Sequence, residues 1–232
     1  PSGMNHLVIA PLLLPLLTGI ALILLRSSLT PIRRAISTLS TLVLIGVTVA
    51  LLLHVEDGAV QVYRLGDWSA PFGIVLVADR LAAVMVLVTS ILAACVVLYA
   101  IRGGDRAGRY FHVLFQLQLF GLNGAFLTGD LFNLFVFFEV LLIASYGLLL
   151  HGGGPKRTRA GLHYVALNLI GSTLFLFAVG TLYGVLGTLN MADLALRVAH
   201  LEPGDLGVVR AAGLLLFAVF ALKAALAPLH LW

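Results

Sequence analysis

The stretch Leu131-Phe132-Asn133-Leu134-Phe135-Val136-Phe137-Phe138-Glu139-Val140-Leu141-Leu142-Ile143-Ala144-Ser145-Tyr146-Gly147-Leu148-Leu149-Leu150 decides the fold: twenty residues carry a single formal charge. A helix needs about 20 largely apolar residues to cross a hydrocarbon core of about 30 Å. In that medium backbone N–H and C=O groups must be satisfied internally, which a helix does. Six further stretches have the same character: Leu7–Leu25, Ile36–Leu53, Leu81–Ile101, Tyr110–Leu127, Leu162–Leu186 and Val209–Leu226. A membrane β-barrel would alternate polar and apolar residues in runs of about 10, and no such alternation occurs. The fold class expected is all-α, a polytopic membrane helix bundle with about seven transmembrane helices.

Composition agrees. Of 232 residues, 61% are hydrophobic and 10% charged, and the mean hydropathy is +1.09. Soluble domains run near 45–50% apolar and about 25% charged, so an ordinary soluble enzyme, a nucleic-acid module and a disordered tail are excluded. Fourteen Lys and Arg against ten Asp and Glu give a net charge of +4. The basic residues lie in short clusters between apolar runs, where they meet lipid headgroups rather than nucleic acid. Cys95 stands alone in an apolar run and reads as a small hydrophobe. No His-Glu-x-x-His spacing, Ser/His/Asp set or intramembrane His pair is present, so neither a metal nor a cofactor is expected. The segment His151-Gly152-Gly153-Gly154-Pro155 lacks the Lys-Ser/Thr ending of a phosphate loop and reads as a flexible turn.

Loop charge sets the orientation. Arg26, Arg33, Arg34, Arg102, Arg106, Arg109, Lys156, Arg157 and Arg159 fall in the first, third and fifth connections, whereas Arg64, Arg80, Arg197 and Arg210 lie on the other side. Positive residues favour the cytoplasm, which puts the N-terminus outside. Pro1-Ser2-Gly3 ahead of Met4 reads as a cloning scar, and the first span lacks the flanks of a signal peptide. Pro11 and Pro15 bend that span. Runs such as Val60-Gln61-Val62-Tyr63 between Gly58, Gly66 and Pro71 suggest a small external hairpin. Met191–His200, after Asn190, suggests a short interfacial helix.

Of the 24 charged side chains, all but Glu139 and Lys223 fall in connections or at span ends. A charge at a helix centre costs about 2.5–3.5 kcal/mol on insertion scales. It must be hidden, paired or able to change protonation. Burial favours the neutral form of each group while an opposite charge favours the ionised form, so a Glu–Lys couple in lipid is balanced for proton transfer. The alternative is a static ion pair that fixes packing. Pro228, lacking an N–H, deprives the Ala224 carbonyl of its helical partner beside Lys223 and is expected to break the seventh helix. Broken helices at membrane depth line cavities or ion sites.

Polar side chains at helical spacing are candidates for a hydrated path: His112, Gln116 and Asn123 on the fourth span, and Tyr164, Asn168 and Ser172 on the sixth, with His163 beside them. Tyr146 lies two turns from Glu139 on the same face. His230 is a candidate terminal relay, and Trp232 an interfacial anchor. Such stripes also serve plain helix–helix hydrogen bonding.

The run Gly129–Tyr146 resembles the fifth helix of the antiporter-like subunits, a family comprising the D subunit of the multisubunit Mrp cation/proton antiporter and the proton-pumping subunits of respiratory complex I. Lys223-Ala224-Ala225-Leu226-Ala227-Pro228-Leu229-His230-Leu231-Trp232 resembles their seventh helix, and Gly187-Thr188-Leu189-Asn190-Met191-Ala192-Asp193-Leu194 looks especially like the Mrp D subunit. The resemblance implies a fold of about fourteen helices with two inverted five-helix repeats, each with a broken helix. It implies that Glu139 and Lys223 are the proton-transfer pair of the first repeat. On that frame residues 1–3 are the scar, 4–106 hold the first three transmembrane helices with the external loop 55–78, and 107–232 begin the first repeat, which is truncated. The eighth helix and second repeat lie outside the chain. The function expected is the proton-transfer subunit of a monovalent cation (Na⁺ or K⁺)/H⁺ antiporter in the bacterial inner membrane, a secondary transporter rather than an enzyme. Its partners would be the other subunits, lipid, the cation and H⁺. The alternatives are a proton-pumping subunit of an NADH dehydrogenase or membrane hydrogenase, and a non-transporting membrane scaffold.

Overall fold

A computed structural model describes residues 6–25, 30–68 and 73–230. Its helices are α1 (Ala10–Leu24), α2 (Thr30–His54), α3 (Arg80–Ala100), α4 (Phe111–Leu127), α5 (Leu131–Leu149), α6 (Pro155–Leu186), α7 (Met191–Ala199) and α8 (Leu206–Lys223). Seven of them coincide with the seven apolar stretches, and α7 is the short extra helix expected after Asn190. Five (α2, α3, α5, α6 and α8) are long and apolar enough to cross a membrane. The apolar α1 and α4 are shorter, at 15 and 17 residues.

The ends differ from expectation where caps and polar turns extend a helix beyond its apolar run. The 32 residues of α6 make a rod of about 48 Å, so Lys156, Arg157 and Arg159 ride on its first turns rather than in a loop. Arg33 and Arg34 likewise sit in the first turns of α2. Asp79 caps α3 by accepting from the Ala82 N–H at 2.7 Å, and Asn190 caps α7 by accepting from Ala192 and Asp193. α6 ends on Gly187, whose φ of +67° is the left-handed conformation a helix-terminating residue needs and glycine adopts without a Cβ clash.

The external hairpin exists but is displaced: β1 (Gln61–Arg64) pairs with β2 (Val75–Ala78), so the second strand follows the expected segment instead of lying within it. Pro1–Gly3, Arg26, Pro71 and Trp232 lie outside the described residues.

The chain separates into two units. One comprises Pro1–Tyr63, Leu76–Thr128 and Phe137–Gly153; the other comprises Arg64–Val75, Gly129–Val136 and Gly154–Trp232. In the first, α1 packs on α2 and α4, and α3 packs on α2 and α4. Its interior holds Leu51, Val55, Leu76, Val86, Leu127 and Phe137. Gly124 lets α4 meet Phe137 closely, because a Cβ there would overlap the Phe137 ring. In the second, α8 packs on α6 around Phe175, which is fully buried and meets Phe220 edge-on at 5.6 Å between ring centres. Large apolar side chains such as Leu24, Leu162, Leu214 and Phe217 are exposed, as lipid-facing surfaces require.

Candidate functional site

Asp130 fixes the start of α5. Its carboxylate accepts from the Asn133 N–H at 2.8 Å, and its backbone bridges Asn190. Burial pushes the Asp130 carboxyl up, against donations from the Asn133 and Phe132 N–H groups. From that anchor the helix carries Phe137, Leu141 and Gly147 towards α4, where they meet Gly124, Gly121 and Leu114. Glu139, two residues after Phe137, falls on the other side of the helix. It is half-buried, and its Oε1 is buried with no hydrogen-bond partner among the described residues. Tyr146, half-buried, shares that face.

In the second unit Lys223 is the last residue of α8. The helix thus stops ahead of Pro228, next to Ala224, whose carbonyl that proline cannot serve. Ala225 then takes φ +53°, a conformation uncommon outside glycine. Lys223 Nζ donates to Ser172 Oγ at 3.4 Å. Ser172 and Asn168 are both buried on α6. The Asn168 side chain donates to the Tyr164 carbonyl at 2.9 Å, Tyr164 is half-buried, and His163 is exposed beside this face. His230 is exposed after the helix. Lys223, Ser172 and Asn168 therefore lie along one seam of α6 and α8, with His163 and His230 outside it.

The α4 stripe is engaged with neighbouring helices. Gln116 Nε2 donates to Ser37 Oγ at 3.2 Å and to Thr41 Oγ1 at 3.3 Å. Asn123 Nδ2 donates to the Pro11 carbonyl at 2.8 Å. Pro15 has no N–H, so the carbonyl four residues before it lacks a helical donor, and Asn123 replaces it. His112 Nε2 lies 3.1 Å from Asp105 Oδ2.

Asp105 and Arg34 are residues that sequence reading missed. The Asp105 side chain is 1% exposed. It accepts from Arg34 Nε at 2.6 Å and also from Arg34 Nη2. The Arg34 guanidinium holds the Asp105 carboxyl below the usual carboxylate range, against burial and with help from His112. In the sequence both look like loop charges, since their pairing spans 71 positions and leaves no local pattern.

Residues 128–232 match the family described as NADH:quinone oxidoreductase/Mrp antiporter, transmembrane. The chain is 50% identical, over 99% of its length, to a protein of Rhizobium meliloti named as the D subunit of a probable K⁺/H⁺ antiporter, covering 43% of it. It is 43% identical to the D subunit of the Na⁺/H⁺ antiporter of Bacillus subtilis, over 99% of this chain and 46% of that one. Among solved structures it is similar to a chain of the Mrp complex from a Dietzia species, with a TM-score of 0.87 and 32% identity over 99% of this chain and 42% of that chain. It thus spans less than half the length of these relatives. Residues 128–232 thus match a membrane family shared by NADH:quinone oxidoreductase and Mrp antiporter subunits, and the chain is similar along nearly its whole length to antiporter D subunits.

Proposed function

We propose that this chain forms part of the proton-transfer subunit of a multisubunit monovalent cation (Na⁺ or K⁺)/H⁺ antiporter in the bacterial plasma membrane. The relatives' names support the class of activity. One observation carries the assignment to a residue: a carboxylate within the apolar α5, with one oxygen buried and unpartnered. An ionised carboxylate in such a medium is costly without a partner, and its protonated form is not. Glu139 is therefore the group that takes up and releases the proton, as Lys223 changes its charge or its distance. Residues 4–106 serve as the supporting helices and 107–232 as the start of the transporting repeat. The seam of Tyr164, Asn168 and Ser172 holds water that connects the site to one side, Tyr146 extends the face of Glu139, and His163 and His230 stand at the ends of the path. The other subunits complete the cation route.

The test uses the full-length subunit assembled with its partners in everted vesicles. Glu139→Gln and Lys223→Met each abolish cation-dependent proton movement while the complex still assembles. Full activity in Glu139→Gln overturns the mechanism. The family model also embraces oxidoreductase subunits. Proton pumping that needs an electron donor, with no exchange driven by a cation gradient, would identify that assembly instead.

A further inference from the structure

A cavity of about 360 Å³ opens beside the start of α2 and the connection from α3 to α4, with Thr30, Arg33, Asp105, Arg106, Arg109 and His112 in its wall. Three of these residues are arginines, and the single carboxylate among them is already held by Arg34 and His112. Arg33 is only 6% exposed, and its Nε is buried with no hydrogen-bond partner among the described residues. Arg33 thus brings to the wall of a cationic cup a buried guanidinium with an unsatisfied donor, an arrangement that an anion would complete. The first turn of α2, a 25-residue helix, borders the same cavity without an acidic residue to offset its positive end, which adds to the attraction for an anion.

We propose that this cup binds a phosphate group, and that its bearer is the headgroup of an anionic phospholipid. Guanidinium groups meet phosphate oxygens in a two-pronged geometry that a chloride or a single carboxylate uses less fully. The position favours lipid over free phosphate. The arginines of this cup belong to the connections that loop charge assigns to the cytoplasmic side, where the leaflet is anionic. Tyr99 and Tyr110 flank the same connection at 80% and 52% exposure, as aromatic residues at headgroup level do. Arg109 lies over the Tyr110 ring at 5.3 Å, so one guanidinium of the cup is tied to that interfacial ring. Neither Glu139 nor Lys223 takes part, and the proposal stands apart from the antiport reading.

The experiment reconstitutes the assembled complex in phosphatidylcholine vesicles with a small fraction of spin-labelled phosphatidylglycerol and measures the motionally restricted lipid, with labelled phosphatidylcholine as reference. Wild type is expected to retain the anionic label preferentially. Arg106→Gln with Arg109→Gln, both at exposed positions, weakens retention about fivefold per arginine removed. Arg33→Gln weakens it similarly and Arg33→Lys only partly. Arg102→Gln, an exposed arginine of the same connection outside the cavity, leaves retention unchanged. Inorganic phosphate at millimolar concentration is the second arm. Failure to displace the label supports the lipid assignment. Displacement of the label, together with phosphate binding in phosphatidylcholine alone, keeps the phosphate chemistry and overturns the lipid as its bearer. Equal retention of both lipids by wild type, or retention insensitive to the paired substitution but reduced by Arg102→Gln, overturns the site.

Discussion

Two sets of polar groups lie inside the same helical unit and are treated differently by the fold. On α4, His112, Gln116 and Asn123 are buried and each reaches a named partner on another segment: Asp105, the Ser37–Thr41 face of α2, and the carbonyl freed by Pro15 on α1. On α5, Glu139 has a buried oxygen without one; His112 Nδ1 and Asn123 Oδ1 are also unpartnered among the described residues, but on Glu139 the unpartnered atom belongs to a carboxyl group that can carry a full negative charge. Neutral amides in lipid gain roughly 0.6–2 kcal/mol from a bond across helices, which makes them useful for holding α1, α2 and α4 together. A carboxylate without a partner costs more than any packing benefit returns unless its proton comes and goes. The first set holds helices together, and in the proposed function the acid carries the proton.

Substitutions separate the two. The largest effect is expected from Glu139→Gln: cation-driven proton movement in vesicles falls to background, while yield and melting temperature of the complex stay close to wild type. Next is Gly124→Leu, whose side chain would occupy the space of the Phe137 ring. Overpacking costs about 1–3 kcal/mol, and a lower melting temperature with less complex in the membrane is the expected reading.

Asp105→Asn tests the buried pair at the start of α2. Loss of charge-assisted bonds from Arg34 costs about 2 kcal/mol at neutral pH, read as thermal stability. Because the folded carboxyl titrates below its ordinary value, its stabilisation is full above the unfolded pKa of about 3.9. It is lost as pH falls through the folded value, so the gap between wild type and Asp105→Asn closes in acid.

The smallest effect sharpens the comparison most. Asn123→Ala costs about 1 kcal/mol in the native background. It costs close to nothing when Pro15→Ala returns a backbone N–H to the Pro11 carbonyl. Equal costs in both backgrounds would show that Asn123 does not act as that donor.

The spans are legible in the sequence because each is a run of apolar residues long enough for lipid, and Leu131–Leu150 reappears as α5 within one residue. Glu139 is legible because a carboxylate amid Phe137, Phe138, Val140 and Leu141 has no packing reason to be there. The Arg34–Asp105–His112 cluster is not, since the residues are far apart in sequence and each looks like a loop or stripe residue alone. Nor is the role of Asn123 visible: the proline that creates its acceptor sits 108 positions earlier, counted from Pro15 to Asn123. Apolarity places the end of α8 three residues too late, because the apolar run continues to Leu226 while the helix stops at Lys223 and the backbone turns at Ala225.

The central claim is most directly tested by counting protons. The purified, assembled complex is placed in weakly buffered detergent solution with a pH-indicating dye, and the monovalent cation is added. The expected result is a pulse of released protons in wild type that is missing in Glu139→Gln and preserved in Asn123→Ala. Equal release from wild type and Glu139→Gln would contradict it.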